Sequence, residues 1–269
     1  MKVFFITLIA LAVFVLFGFI VGNLVGLLIA GACVISLLIF ILTYDSPRWY
    51  VRELGLLALA FAFSIKLYPI LFAWILVADK RIAAIFRCAF YSLAMLVLPS
   101  FFFGGPKVLL YLLENIFSFS SGGGGAASGI TKFLHLPPLL LPIITYSVFI
   151  LAALNFLVAP WLYREKWKVF MCGCLAFVAF PPLTSTYGWI LFILPLIALV
   201  NGEKKREDLP YVIAMSIPFA FLPIPIAFHV TANAVAVYVC LWFLLGKITL
   251  DTVQILRARM KARGEMKSC

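Results

Sequence analysis

Ala60-Phe-Ala-Phe-Ser-Ile-Lys66-Leu-Tyr68-Pro69-Ile-Leu-Phe-Ala73 sets a lysine inside apolar sequence that runs from Leu54 to Ala78. That run is long enough for one tilted span. A charge at such depth is costly and turns towards a protein interior or a water-filled cavity, unless its long stem snorkels to an interface. Pro69 has no amide hydrogen and its ring clashes with the carbonyl of Ile65, so a helix through Lys66 kinks or ends there. A buried cation beside a broken helix is an arrangement with which membrane proteins hold anions.

The remainder of the chain sets the context. It has 269 residues, 65% of them hydrophobic and 12% charged, with a mean hydropathy of +1.17. Apolar runs of about 20 residues recur from end to end, which excludes a soluble nucleotide-sugar enzyme and indicates a polytopic membrane protein. The expected fold is all-α, with about six full spans plus two broken or re-entrant helical hairpins, or about eight to ten transmembrane segments. A net charge of +11 would suggest nucleic acid in a soluble protein. In a membrane protein it is explained by basic cytoplasmic loops and a basic tail, so membrane lipids are expected around the chain and no nucleic acid. Cys33, Cys88, Cys172, Cys174 and Cys240 lie in apolar runs and Cys269 is the last residue. None has the spacing of a zinc or redox site, and neither metal nor cofactor is expected. Gly122 to Gly125 is not followed by a Lys-Ser/Thr helix start, so it is a linker and not a phosphate cradle.

In chain order, Val3 to Val21 is the first span, Gly22-Asn23 a tight turn, and Leu24 to Leu42 the return. Ile82 to Phe103 spans, residues 104–137 form an exoplasmic loop, and Pro138 to Tyr163 spans again. Val169 to Val200 is a second broken stretch, interrupted by Pro181-Pro182-Leu-Thr184-Ser185-Thr186-Tyr187-Gly188-Trp189. Leu209 to Phe228 is interrupted by Pro218, Pro223 and Pro225; His229 marks a turn, and Val230 to Leu245 returns. Residues 1–246 are expected to form a membrane-embedded domain, and residues 247–269 a basic helix on the cytoplasmic surface.

Basic residues decide between single spans and hairpins. If both broken stretches are re-entrant, with their ends on the cytoplasmic side, all 21 Lys and Arg except Lys66, Lys107 and Lys132 lie towards the cytoplasm. If both are single spans, Lys80, Arg81, Arg87, Arg164, Lys166 and Lys168 move outside. The positive-inside rule favours the hairpins, with both termini cytoplasmic in a multi-pass cell-membrane protein. The two tips then form a polar pocket open to the exoplasmic face.

The order Gly22-Asn23, Lys66-Leu-Tyr68-Pro69, Lys80-Arg81, then Pro182-Leu-Thr-Ser185-Thr-Tyr187-Gly-Trp189 and Leu194-Pro195 resembles glycosyltransferase family 87 over roughly residues 20–200. These are polytopic enzymes of the GT-C superfamily. The resemblance implies a GT-C-like helical bundle that transfers a hexose, typically mannose, from a polyprenyl-phosphate donor to a glycan, lipid or protein acceptor on the exoplasmic side. Lys66 and Tyr68 would meet the donor phosphate, where an ammonium is a charge-assisted donor. Thr184, Ser185 and Tyr187 would hydrogen-bond sugar or acceptor, and Trp189 would stack on a sugar face. The same hydroxyl and aromatic groups also serve ordinary helix–helix bonding and interface anchoring.

The family carries a catalytic acid, usually an aspartate, in its first exoplasmic loop, as base for the acceptor hydroxyl. Here the first exoplasmic turn is Gly22-Asn23, without an acid. Of the ten acidic residues, Glu114 alone is exoplasmic in this topology; Glu114, His229 and His135 are the remaining base candidates. The expectation is therefore the C-terminal part of such a transferase, inactive alone or completed by a partner subunit that carries the missing loop. The competing expectations are a transporter or flippase of an anionic lipid or solute, and a non-catalytic membrane subunit.

Overall fold

The computed structural model describes residues 24–65, 68–102, 104–105, 107–108, 110–111, 114, 137, 140–179, 189, 191–202, 205–220, 225–227 and 230–267. Helix accounts for nearly all of them, because in lipid a helix satisfies its own backbone. The exception is a short antiparallel ladder, β1 (Pro225–Ala227) with β2 (Val230–Thr231), in the proline-interrupted stretch. Three helical segments are long and apolar enough to cross a membrane: Ile82–Phe102, Pro142–Leu162 and Val235–Ala262. Shorter apolar helices cover Gly31–Thr43 and Pro69–Ala78. The expected first span, Val3 to Val21, lies outside the described residues.

The chain divides into two compact units, Met1–Ser120 with Ile193–Gly202, and Ser121–Phe192 with Glu203–Cys269. In the first, α1 (Leu24–Thr43) turns through residues 44–48 into α2 (Trp49–Ile65). So short a connection makes the two helices antiparallel neighbours. Gly55 lies against the turn; a Cβ there would stand 2.5 Å from Thr43 Oγ1 and 3.2 Å from the amide nitrogen of Tyr44. A 3-10 turn (Tyr68–Ala73) and α3 (Trp74–Ala78) follow, then α4 (Ile82–Phe102), which packs along α2. α7 (Ile193–Asn201) joins this unit against α1. The core is built from Leu37, Phe40, Leu56, Leu59 and Ala60.

In the second unit, α5 (Leu140–Leu162) packs on α6 (Lys166–Ala179), α8 (Leu209–Ala220) packs on α9 (Ala232–Lys267), and α9 also meets α5. Val148 and Ala152 of α5, Ala179 of α6 and Leu245 of α9 share one core. The faces of α5 are sorted by size and polarity. Thr145, Val148, Ala152, Asn155 and Ala159 are buried, while Ile143, Ile150, Leu154, Leu157 and Trp161 are exposed. Small and polar side chains at the helix contact, with large apolar ones outside, suit a hydrocarbon solvent. Leu54, Leu57 and Phe61 of α2 and Phe86, Phe90 and Leu93 of α4 face outwards likewise.

The expected boundary at 246/247 is not a break in the fold. α9 is one helix of 36 residues, about 54 Å long, nearly twice a hydrocarbon core of about 30 Å. Its basic segment continues the apolar one, and Ile248 and Thr252, past the expected boundary, are buried.

Candidate functional site

The break at Lys66 is present in the backbone. α2 ends at Ile65, the residue whose carbonyl Pro69 would obstruct, and the chain resumes at Tyr68 as the 3-10 turn. Near that end Ser64 Oγ donates to the Phe61 carbonyl at 2.7 Å, and Pro69 is buried. Lys66 and the side chain of Tyr68 lie outside the described residues.

The two ends of this stretch meet. Arg81, just after α3, donates from Nη1 to the carbonyl of Tyr44 at 2.7 Å and pairs with Asp45, ahead of α2. Arg87 and Tyr91 of α4 both bind the carboxylate of Glu53 in the first turns of α2. The 17 residues of α2 rise about 25 Å, and the 3-10 turn and α3 bring the chain back. The residues on either side of Leu54 to Ala78 are therefore held together. The stretch ends in a Schellman cap: Lys80 N–H donates to Val77 O and Arg81 N–H to Leu76 O. The cap sets Lys80 at φ +54°, where glycine is usual.

The second broken stretch also carries an ion pair between distant positions. Glu165 precedes α6 and Lys205 follows α7, and Lys205 Nζ lies 2.6 Å from Glu165 Oε1. Burial pushes the Glu165 carboxyl up, but the Lys205 hydrogen bond, its own backbone, and the charges of Lys168 and Lys205 outweigh this and hold it below the usual range. The chain has turned back by Leu191, whose carbonyl accepts from Cys174 Sγ of α6 at 3.4 Å. Trp189 is buried at the end of this turn. Its ring stacks on Phe192 with centroids 4.2 Å apart, and its indole N–H donates to the Met215 carbonyl at 3.3 Å. Protein groups thus occupy both functions that a sugar would use. Thr184, Ser185 and Tyr187 lie outside the described residues.

Of the base candidates, Glu114 is exposed, while His135 and His229 lie outside the described residues. The described geometry brings no second catalytic group to Glu114.

A third feature was not singled out from sequence. In the second unit, Asp251 of α9 accepts from Lys247 Nζ and from Tyr211 Oη at 2.7 Å, and Lys168 Nζ lies 4.0 Å away as a further ion pair. Lys168 also lies 5.5 Å from the ring centroid of Tyr163, 5.4 Å from that of Trp167 and 5.9 Å from that of Tyr211. Lys247 stands 5.5 Å from the Tyr211 ring. Beneath this cluster, Asn155 Nδ2 donates to Thr249 Oγ1 at 2.9 Å, Thr252 Oγ1 donates to Asn155 Oδ1 at 2.8 Å, and Thr252 meets Tyr163 Oη at 2.7 Å. The sequence signal was the Lys247/Asp251 pair at i, i+4, which is common on solvated helices.

No protein-family model, curated protein or solved structure matches the chain.

Proposed function

We propose that this protein is a membrane glycosyltransferase, or the donor-binding portion of one, that acts on a polyprenyl-phosphate-linked hexose, with mannose the expected sugar. The observation that carries this reading is the broken stretch from Asp45 to Arg81. The end of one helix at Ile65 and a 3-10 turn from Tyr68 stand on either side of Lys66 in the chain. A lipid-linked sugar donor has one phosphodiester charge on an apolar tail. It needs a single cation within reach of lipid, and Lys66 with Tyr68 supplies that. Thr184, Ser185 and Tyr187 are assigned to the sugar or acceptor, and Trp189 to the packing of the turn. The base of the acceptor hydroxyl is assigned to a partner subunit or a further segment.

By the positive-inside bias, the end of the first hairpin that carries Arg48, Arg52, Lys80, Arg81 and Arg87 is cytoplasmic. The same bias gives Lys66 to the exoplasmic half of the membrane and the basic end of α9 to the cytoplasm.

The direct test is binding of radiolabelled polyprenyl-phosphate mannose to the full chain reconstituted in vesicles. Saturable binding is expected, lost in Lys66→Ala and partly kept in Lys66→Arg. No saturable binding by the native chain overturns the reading. A transporter of anionic lipid or solute is the second reading, favoured by two broken stretches that each close on an ion pair. Movement of the donor across proteoliposomes without sugar transfer, in the presence of acceptor, selects it.

A further inference from the structure

We propose that the Lys168–Lys247–Trp167 cluster of the second unit is a binding site for a phosphate group, and specifically for the headgroup of an anionic lipid at the membrane boundary.

The placement is that of a boundary. Trp167 and Lys168 sit in the first turn of α6, just beyond the end of the apolar segment Pro142–Leu162. Tyr211 opens α8, and Lys247 and Asp251 lie where α9 changes from apolar to basic. Farther along α9, Arg259 donates to the carbonyls of Trp161 and Leu162, so basic side chains continue past the cluster on the same helix.

The charges within the cluster are uneven. Lys168 and Lys247 share one carboxylate, Asp251, which Tyr211 also uses. Lys168 has a side-chain exposure of 13% and Asp251 of 15%. The other carboxylates nearby in sequence are engaged: Glu165 by Lys205, and Asp208 by the backbone N–H of Lys205. Two ammoniums bridged by one carboxylate in a half-buried site leave a positive field that a phosphate oxygen satisfies.

The second observation is independent of charge. Trp167 is 3% exposed, yet its indole N–H has no hydrogen-bond partner among the described residues. An orphaned buried donor is costly. Its ring packs edge-on against Tyr211 at 5.2 Å and lies under the Lys168 ammonium. The indole with the unmet N–H thus lies beside one of the two ammoniums, and a phosphate oxygen that reached it would accept from it. Basic recesses between helices at the cytoplasmic boundary are suited to anionic headgroups, held by charge and by the acyl chains beside them.

The test uses the full chain in detergent, with thermal unfolding followed on addition of short-chain phosphatidylglycerol, short-chain phosphatidylcholine, or inorganic phosphate. Phosphatidylglycerol is expected to raise Tm saturably and phosphatidylcholine to leave it unchanged. Lys247→Gln and Lys168→Gln should each weaken the apparent affinity by tenfold or so. Trp167→Phe removes the N–H together with part of a buried ring, so its lipid-free Tm should fall and its affinity should drop about fivefold. Inorganic phosphate competing at equal affinity would make the site one for the free anion and overturn the lipid assignment. No saturable shift with any anion, or an unchanged affinity in both Trp167→Phe and Lys247→Gln, overturns the site.

Discussion

Lys205 and Glu165, forty positions apart in the chain, are joined at 2.6 Å. Their pairing joins the residue that precedes α6 to Lys205, within the second unit. In the other unit Arg81 and Asp45 do the same across 36 positions. Both broken stretches thus carry an ion pair between their charged ends, where such a pair is cheap. Neither pair is a large source of stability, since both are partly exposed. Their effect is to select where each return ends.

The Glu165 pair has a definite pH signature. Its carboxyl is held below the usual range, so the folded state binds this proton less readily than the unfolded one. The stabilisation is complete above the ordinary glutamate pKa and is lost as pH falls through the depressed folded value. Thermal unfolding of the native chain should therefore lose Tm in acid relative to Glu165→Gln, with the two curves parallel at neutral pH. Added salt should shrink the difference, because Lys205 is half exposed.

Gly55 sets how closely α1 and α2 approach. A methyl group there meets Thr43 Oγ1 at 2.5 Å and the Tyr44 amide nitrogen at 3.2 Å. Gly55→Ala should cost about 1–3 kcal/mol by overpacking, despite the better helix propensity of alanine. Adding Thr43→Ala should recover part of this loss but not all, because the backbone contact remains. Chemical denaturation of the two variants in detergent measures both.

Asn155 is buried and joins α5 to α9 through Thr249 and Thr252. Asn155→Ala leaves both threonines without it and should cost about 2 kcal/mol. Thr249→Ala should cost less, since Asn155 keeps its bonds to Leu151 O and Thr252. A single variant of Tyr163, such as Tyr163→Phe, should be non-additive with Thr252→Ala, because the two hydroxyls meet at 2.7 Å.

Lys80 holds the left-handed position of its cap at φ +54°, and its side chain is exposed. Lys80→Gly removes the Cβ penalty there at the cost of a more flexible unfolded chain, and should stabilise by about 0.5–1 kcal/mol. Lys80→Val should destabilise, because a β-branched residue resists positive φ. The pair of variants is compared by Tm.

Several features were legible in the residues alone. Hydropathy foretold helices long and apolar enough to cross a membrane, because transfer of apolar surface is nearly additive along a sequence. Pro69 located the end of α2 at Ile65, because the proline ring acts on a carbonyl four residues back. The asymmetric distribution of Lys and Arg favoured hairpins over single spans, and Arg81 does meet Asp45 across the first broken stretch. These are local or summed properties, and they need no knowledge of which helices touch.

What the tertiary structure decided is everything that depends on partners. Trp189 read as a ring for a sugar; folding gives its face to Phe192 and its N–H to Met215. Lys168, Lys247 and Asp251 read as scattered boundary charges; folding gathers them around Tyr211 beside a tryptophan whose N–H is left over. Residues 247–267 read as a separate surface helix, yet α9 is continuous, because nothing in its backbone chemistry stops a helix at Gly246. A side chain's partner is fixed by contacts between segments far apart in the chain, whose free energy no single segment contains. Sequence by itself therefore determined where this chain must break and turn, and only the packing of its helices decided what each polar group met there.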